Sequence, residues 1–211
     1  MTTTRQLTVI SSGVGAPSSS RMLADRLTAA TVERLRVDHG IEARASVHEL
    51  RDTAKEVVNN LLTGFPAPNL ADIIDQLAAG DGLIIVTPVF NSSFNGLFKS
   101  FLDVIDPTAL TGLPTLIGAT GGSPRHSQVL DYAMRPVLTY MHAEVMPIGV
   151  YAATEDWAGA PDETLPELPD RIARAARDFA ARVAATDRSN AVIDSFGLEA
   201  KYSVTGGFSA E

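Results

Sequence analysis

The 211 residues predict an α/β fold: a doubly wound parallel sheet with helices on both faces. Three observations carry that expectation. Short apolar runs alternate with segments of helical periodicity, the pattern of repeated βαβ units. One run, GLIIVTPVF (82–90), is apolar almost throughout, as expected of a central parallel strand covered on both faces. The loops that follow three of the runs are poor in bulky side chains and rich in Gly and Ser, and ligands of open α/β sheets bind outside the carboxyl ends of the strands.

QLTVIS (6–11) reads as the first strand, and the helix after it carries Leu23, Leu27 and Ala30 on one face. IEARASVHEL (41–50) alternates with polar residues, which places the second strand nearer an edge. After the third strand, 82–90, the positions Leu97, Phe98, Phe101, Leu102 and Ile105 form a helical stripe. LPTLIGATGG (113–122) is a fourth strand ending in a glycine-rich turn. SQVLDYAMRPVLTYMH (127–142) is helical, with Leu130, Met134, Val137, Leu138 and Met141 on one side. Within it, Pro136 cannot donate to the carbonyl of Tyr132, so the helix is expected to be distorted over 132–136. EVMPIGVYA (144–152) is the fifth strand. A Pro- and acid-rich connection, 152–170, leads to a last helix near Pro169 with Ile172, Ala175, Phe179 and Val183 as its stripe. Right-handed crossovers leave a doubly wound five-stranded sheet as the simplest arrangement. Residues 1–187 are expected to form a single domain. Residues 188–211, rich in Gly and Ser, are expected to be a poorly ordered tail unless a partner subunit covers them.

Composition narrows the function classes. Seventeen basic against 25 acidic residues give a net charge of −8, which argues against a broad nucleic-acid footprint. The absence of cysteine removes disulfides, thiolate metal sites, iron–sulfur clusters and cysteine nucleophiles together. His39, His48 and His142 show no metal-ligand spacing, and HELRD (48–52) lacks a second histidine, so no metal is expected. MTTTRQLTVISS enters a strand with no apolar stretch of a signal peptide. No segment approaches the roughly 20 apolar residues of a membrane span, so a cytoplasmic setting without membrane contact is expected.

Function turns on the loops after strands one, three and four: 11–20, 87–96 and 119–126. The first, SSGVGAPSSS, fails as a dinucleotide fingerprint because Ser18 stands where G-x-G-x-x-G needs its third glycine. Glu49 at the end of strand two could still serve a ribose, so this alone does not decide. It also fails as a P-loop, having no lysine. It does offer the hydroxyls of Ser11, Ser12, Ser18, Ser19 and Ser20 just before a helix N-terminus, a setting that favours a terminal monophosphate. Capping the helix is the competing use, but one serine suffices for that. The second loop places Phe90, Asn91, Ser92, Ser93, Phe94, Asn95 and Gly96 after the central strand. They suit a flat heteroaromatic ligand, although Asn95 and Ser93 could equally cap the next helix and Phe94 could be core. In the third, Thr120, Gly121, Gly122 and Ser123 bring bare backbone close to a ligand, or simply make a turn. Taken together the loops read as phosphate at one end and flat ring at the other, which is FMN.

At these residues a family comes into view. TPVFNSSFNGLFKSFLDV (87–104) resembles the T-P-V-Y-x-x-S/A-x-x-G-x-L/F-K-x-x-L/F-D segment of flavodoxin-like NAD(P)H-dependent FMN reductases. ATGGSPRHSQVLDYAMRPVL (119–138) resembles A-T-G-G-x-x-x-H-x-x-x-x-D-Y-A-L-K/R-P-V-L of the branch that supplies reduced flavin to sulfonate-type monooxygenases. PSSSRMLADRL (17–27) is similar to that family's phosphate loop, and the resemblance spans about residues 5–185. It implies a flavodoxin-like sheet of order 2-1-3-4-5, with FMN and NADPH or NADH as the hydride donor. It places the phosphate on Ser11 or Ser12, Ser18 and Ser20, and the isoalloxazine among Pro88, Val89, Phe90, Asn91, Ser93 and Gly96. The pyrimidine edge then meets Thr120, Gly121 and Gly122. Phe90 replaces the family's usual tyrosine and Asn91 its common lysine. Arg125 is a candidate for the nicotinamide-nucleotide phosphates. His126 either orients a flavin or nicotinamide group or plays a structural part. No side chain need be catalytic, since hydride passes between the two cofactors. The resemblance further implies a homodimer or homotetramer, with a π-type bulge at Tyr132–Pro136 near a subunit contact, and a partner flavin-dependent monooxygenase. Alternatives are a quinone, azo or chromate reductase that holds FMN tightly, or an electron-transfer flavodoxin. Flavodoxins usually place an aromatic where this chain has Thr120-Gly121-Gly122.

Overall fold

The computed structural model describes residues 4–158 and 166–186, so the tail at 188–211 and the middle of the 152–170 connection lie outside the described residues. Parallel strands β1 (Thr4–Ser11), β3 (Gly82–Phe90) and β5 (Pro114–Gly121) form the sheet's centre, and β2 (Glu42–Glu49) lies at one edge, as its polar alternation predicts. Its order is β2-β1-β3-β5-β6, where β6 is Glu144–Val145. Two further pieces join it: β4 (Ser93–Phe94) pairs antiparallel with β3, and β7 (Val150–Ala153) pairs parallel with β5.

The sheet therefore has seven strands, not the five expected in order 2-1-3-4-5. The expected fifth strand is cut in two. Met146 still donates its N–H to the Thr115 carbonyl at 2.9 Å, but Pro147 has no N–H with which to continue the ladder. Arg135 takes up the carbonyls freed there, donating to Met146 at 2.8 Å and Pro147 at 3.0 Å. β4 exists because Asn91 and Ser92 both take positive φ, 50° and 66°, which folds the end of β3 back on itself.

Helices cover both faces, and the period-2 alternation of the strands assigns their side chains. Leu7, Val9, Ile84, Val86 and Leu116 pack against α1 (Ser19–His39) and α7 (Leu168–Ala184). Ile10, Leu83, Ile85 and Ile117 face the other layer, built by α2 (Ala54–Thr63), α3 (Pro68–Ala79), α4 (Gly96–Asp103) and α5 (Arg135–Tyr140). The sequence reading assigns no element between 51 and 81, where α2 and α3 lie. The stripe expected of α7, Ile172, Ala175, Phe179 and Val183, is buried, as are Leu23 and Leu27 of α1 and Phe98, Phe101 and Leu102 of α4, while Ala30 and Leu97 are partly buried and Ile105, buried, follows the end of α4. The 152–170 connection is shorter than expected: Ala152 and Ala153 finish β7, and α6 (Thr154–Ala158) follows.

The distortion expected at 132–136 is a π-helical turn over Leu130–Met134, closed where Arg135 N–H donates to the Leu130 carbonyl five residues back. Among the described residues no helix is long and apolar enough to cross a membrane.

Candidate functional site

β1, β3 and β5 are neighbours and parallel, so Ser11, Phe90 and Gly121 bring three loops out at one edge of the sheet. In the first, Ser11 and Ser12 are fully buried. The backbone anchors them: Ser12 N–H donates to the Val86 carbonyl and Leu50 N–H to the Ser11 carbonyl, both at 2.9 Å. The loop then curls so tightly that a Cβ on Gly13 would stand 2.1 Å from Ser18 Oγ, which only glycine permits. Ser18 caps α1, its Oγ accepting the Arg21 N–H at 3.2 Å. That engages one hydroxyl of the cluster. Ser19 is exposed, and Ser20 Oγ lies 2.8 Å from Thr120 Oγ1 of the third loop. Ser11 Oγ is buried and has no hydrogen-bond partner among the described residues. The N–H groups of Ser19 and Ser20, at the first two helical positions, have no carbonyl a turn earlier to bond.

Glu49 is not free to meet a ribose through Oε1, which pairs with Arg21 at 3.1 Å and Arg51 at 3.3 Å. Arg51 also donates to the Gly15 carbonyl at 2.8 Å, bracing the loop from outside.

In the second loop Pro88 and Val89 are partly buried, while the Phe90 ring is 47% exposed at the end of β3. Asn91 is exposed at the turn, and Ser93 pairs with Phe90. Phe94 belongs to the core, its ring 4.9 Å from that of Phe98. Asn95 is buried and works in two directions. Its Oδ1 accepts the Phe98 N–H at 2.9 Å, capping α4, and its Nδ2 donates to the Ser12 carbonyl at 2.6 Å. Its own N–H donates to Thr87 Oγ1 at 3.3 Å. Gly96 has open space where a Cβ would stand.

The third loop leaves β5 beside the second, with Thr120 in register with Pro88. Thr120 is buried, and Gly122 faces open space. Ser123 Oγ accepts the Arg125 N–H at 3.4 Å and starts a 3-10 turn, Pro124–His126, which leaves Arg125 exposed and His126 partly buried. Beneath this loop lies Tyr151 of β7, whose hydroxyl donates to the Ser123 carbonyl at 2.7 Å. Burial, aided by the Asp156 carboxylate, pushes the phenol above its ordinary value and keeps it a donor.

The three loops are thus joined to one another, first to third by Ser20 and Thr120, first to second by Asn95, second to third by the sheet. All of Ser11, Ser12, Ser18–Ser20, Pro88–Asn91, Ser93, Gly96 and Thr120–Ser123 fall along this edge, with Arg125 and His126 at its end. Asn95 as a tether and Tyr151 as a support are additions. Asn95 has a readable signal, an N-cap residue just before the 97–105 stripe, whereas nothing in the pattern of β7 marks Tyr151. Among the described residues no three His, Asp or Glu side chains are placed to hold a metal.

Residues 6–158 match the family model described as NADPH-dependent FMN reductase. A Pseudomonas aeruginosa protein named FMN reductase (NADPH) is 34% identical over 74% of this chain and 81% of its own length. The NADH-dependent FMN reductase SfnE of Pseudomonas putida is 31% identical over 75% of this chain and 82% of its own. Among solved structures, an oxidoreductase from Corynebacterium diphtheriae superimposes with a TM-score of 0.82 at 44% identity, covering 87% of this chain and 99% of that one. The architecture is flavodoxin-like. On the family match over residues 6–158 and these relatives, the chain belongs to the NADPH-dependent FMN reductase family.

Proposed function

We propose that this NAD(P)H-dependent FMN reductase binds FMN across the three loops, reduces it with NADPH or NADH and hands it, reduced, to a partner flavin-dependent monooxygenase. Reduction of FMN by a nicotinamide nucleotide follows from family membership. The binding mode and the onward transfer are our reading.

One observation carries the binding mode. Around the Gly13 curl, the buried unpartnered Ser11 Oγ and the first two N–H groups of α1 are donors without protein acceptors. An anion of phosphate size supplies those acceptors, and the positive end of a 21-residue helix favours its charge. We assign the phosphate to Ser11 or Ser12 with Ser18, Ser19 and Ser20. The ring is assigned to Pro88, Val89, Phe90 and Asn91, flanked by Ser93 and Gly96, with its pyrimidine edge on the backbone of Thr120, Gly121, Gly122 and Ser123. FMN, when bound there, would supply a two-electron acceptor for hydride from the reduced nicotinamide.

The chain's part is to bind, orient and exclude water. The rigid ties among the loops hold the contact atoms in place before any ligand arrives, which limits the ordering cost of binding. Phe90 offers an apolar face at the mouth. Arg125 and His126 are assigned to the nicotinamide-nucleotide side, where the exposed guanidinium suits a phosphate. Residues 1–187 are read as one functional unit, cytoplasmic and homo-oligomeric. Tyr132 in the π-turn and Tyr140 at the end of α5, 82% and 77% exposed, support placing the subunit contact along this helix. Delivery to a monooxygenase rests on the resemblance of 119–138 to the sulfonate-linked branch.

The test is aerobic oxidation of NADH and NADPH by the purified protein as FMN is titrated from zero. Saturable, FMN-dependent oxidation from a nearly colourless preparation is expected. A yellow preparation whose rate ignores added FMN and rises with quinone would replace the transfer reading with a tight-cofactor reductase.

A further inference from the structure

Tyr151 stands outside the FMN-contacting loops, yet it meets the third loop at two places. Its hydroxyl donates to the Ser123 carbonyl at 2.7 Å. The same oxygen occupies the space beside Gly121, where a Cβ would come within 2.3 Å of it. Gly121 is therefore glycine because the phenol passes there. Thr120 and Gly121 are the last residues of β5, paired with Ala152 and Ala153 of β7, and beyond that ladder the backbone runs into Gly122 and Ser123, where glycine leaves it soft. Thr120 is held by Ser20, and Ser123 Oγ bonds only within its own turn. Among the described residues, Tyr151 Oη is the one group outside the loop that bonds Ser123.

The phenol is itself fixed. Its ring is buried in the core on the α2–α5 side of the sheet, and its backbone carbonyl accepts from Arg171 of α7. Arg171 also pairs with Asp156, whose second oxygen accepts the Ala153 N–H at 2.7 Å. A rigid chain of contacts thus runs from the first turn of α7 through β7 to the third loop.

We propose that Tyr151 is a positioning residue that sets the backbone of Gly121–Ser123 for the ring end of the flavin. The proposal rests on the binding mode above and adds to it a residue that touches no ligand. Because the third loop is assigned to the ring and not to the phosphate, loss of the phenol acts equally on flavins with and without a phosphate.

The experiment measures Kd for FMN and for riboflavin, by quenching of flavin fluorescence, in the wild type, Tyr151→Phe, Gly121→Ala and the double variant. Tyr151→Phe, which loses one buried hydrogen bond, is expected to raise both Kd values by the same factor, about fivefold to tenfold. Gly121→Ala leaves the phenol in place and drives a methyl against it, so it raises both values further. Adding Tyr151→Phe to Gly121→Ala recovers part of that loss, because the nearest phenol atom left to the new methyl is Cζ at 3.3 Å. Ligand-free melting temperature is recorded for each variant. Altered melting with both Kd values unmoved overturns the proposal, as does a change for FMN alone or a double variant no better than Gly121→Ala. A wild type that binds neither flavin overturns the binding mode itself.

Discussion

Asn95→Ala separates a structural tether from a mere helix cap, and its cost follows from two hydrogen bonds. The Oδ1 bond to Phe98 N–H caps α4; its loss costs about 1 kcal/mol. The Nδ2 bond satisfies the buried Ser12 carbonyl at 2.6 Å, and leaving such a group unpaired costs about 1–3 kcal/mol. The sum is about 2–4 kcal/mol, or roughly 4–16 °C in Tm for a chain of this size. Urea unfolding followed by circular dichroism checks it: the midpoint falls while m is unchanged. Asn95→Ser restores a capping oxygen but cannot reach Ser12, so it recovers only the cap's share. The apparent KM for FMN rises in both variants, since both release Ser12 of the first loop. A loss below about 0.5 kcal/mol for Asn95→Ala would refute the reasoning, because that is the scatter of ordinary surface substitutions.

Other consequences are as direct. Gly82→Ala would set a methyl 2.8 Å from Val183 Cγ2 and 2.9 Å from Phe179 Cζ; overpacking of that kind is expected to cost about 1–3 kcal/mol by urea unfolding. Arg125→Ala is expected to raise the KM for the nicotinamide nucleotide about tenfold with kcat unchanged, the loss of one charge-assisted contact, measured by initial rates at low salt. On the proposed subunit contact, Tyr132→Arg puts a charge on the π-distorted face, and sedimentation is expected to show a smaller species than the wild type.

Much of this architecture was legible because period and composition agreed. The continuous apolar run 82–90 coincides with β3, and the stripe Ile172, Ala175, Phe179, Val183 with the buried face of α7. α3 is legible too, for Leu70, Ile73, Ile74 and Leu77 follow helical spacing behind Pro68. α2 was harder: it buries only Val57 and Asn60 and leaves Val58, Leu61 and Leu62 exposed, so its pattern blurs. The break between β6 and β7 has a local signal in Pro147, inside the run read as one strand, whereas the Arg135 side chain that takes up the freed carbonyls comes from another element and has none. At the site, a distorted helix over 132–136 follows from one missing N–H at Pro136, and its π form from the family resemblance. The support from Tyr151 does not, since it is a contact of an ordinary strand residue with a loop 28 positions earlier.

The central claim is that the serine loop holds a phosphate while the other two loops hold the ring. The most direct test compares the affinity of the wild-type protein for FMN and for riboflavin, which differ only in that phosphate. The account predicts FMN tighter by about tenfold to a hundredfold, as two or more hydrogen bonds to an anion would give, with the margin shrinking in Ser11→Ala. Equal affinity for the two flavins would contradict it.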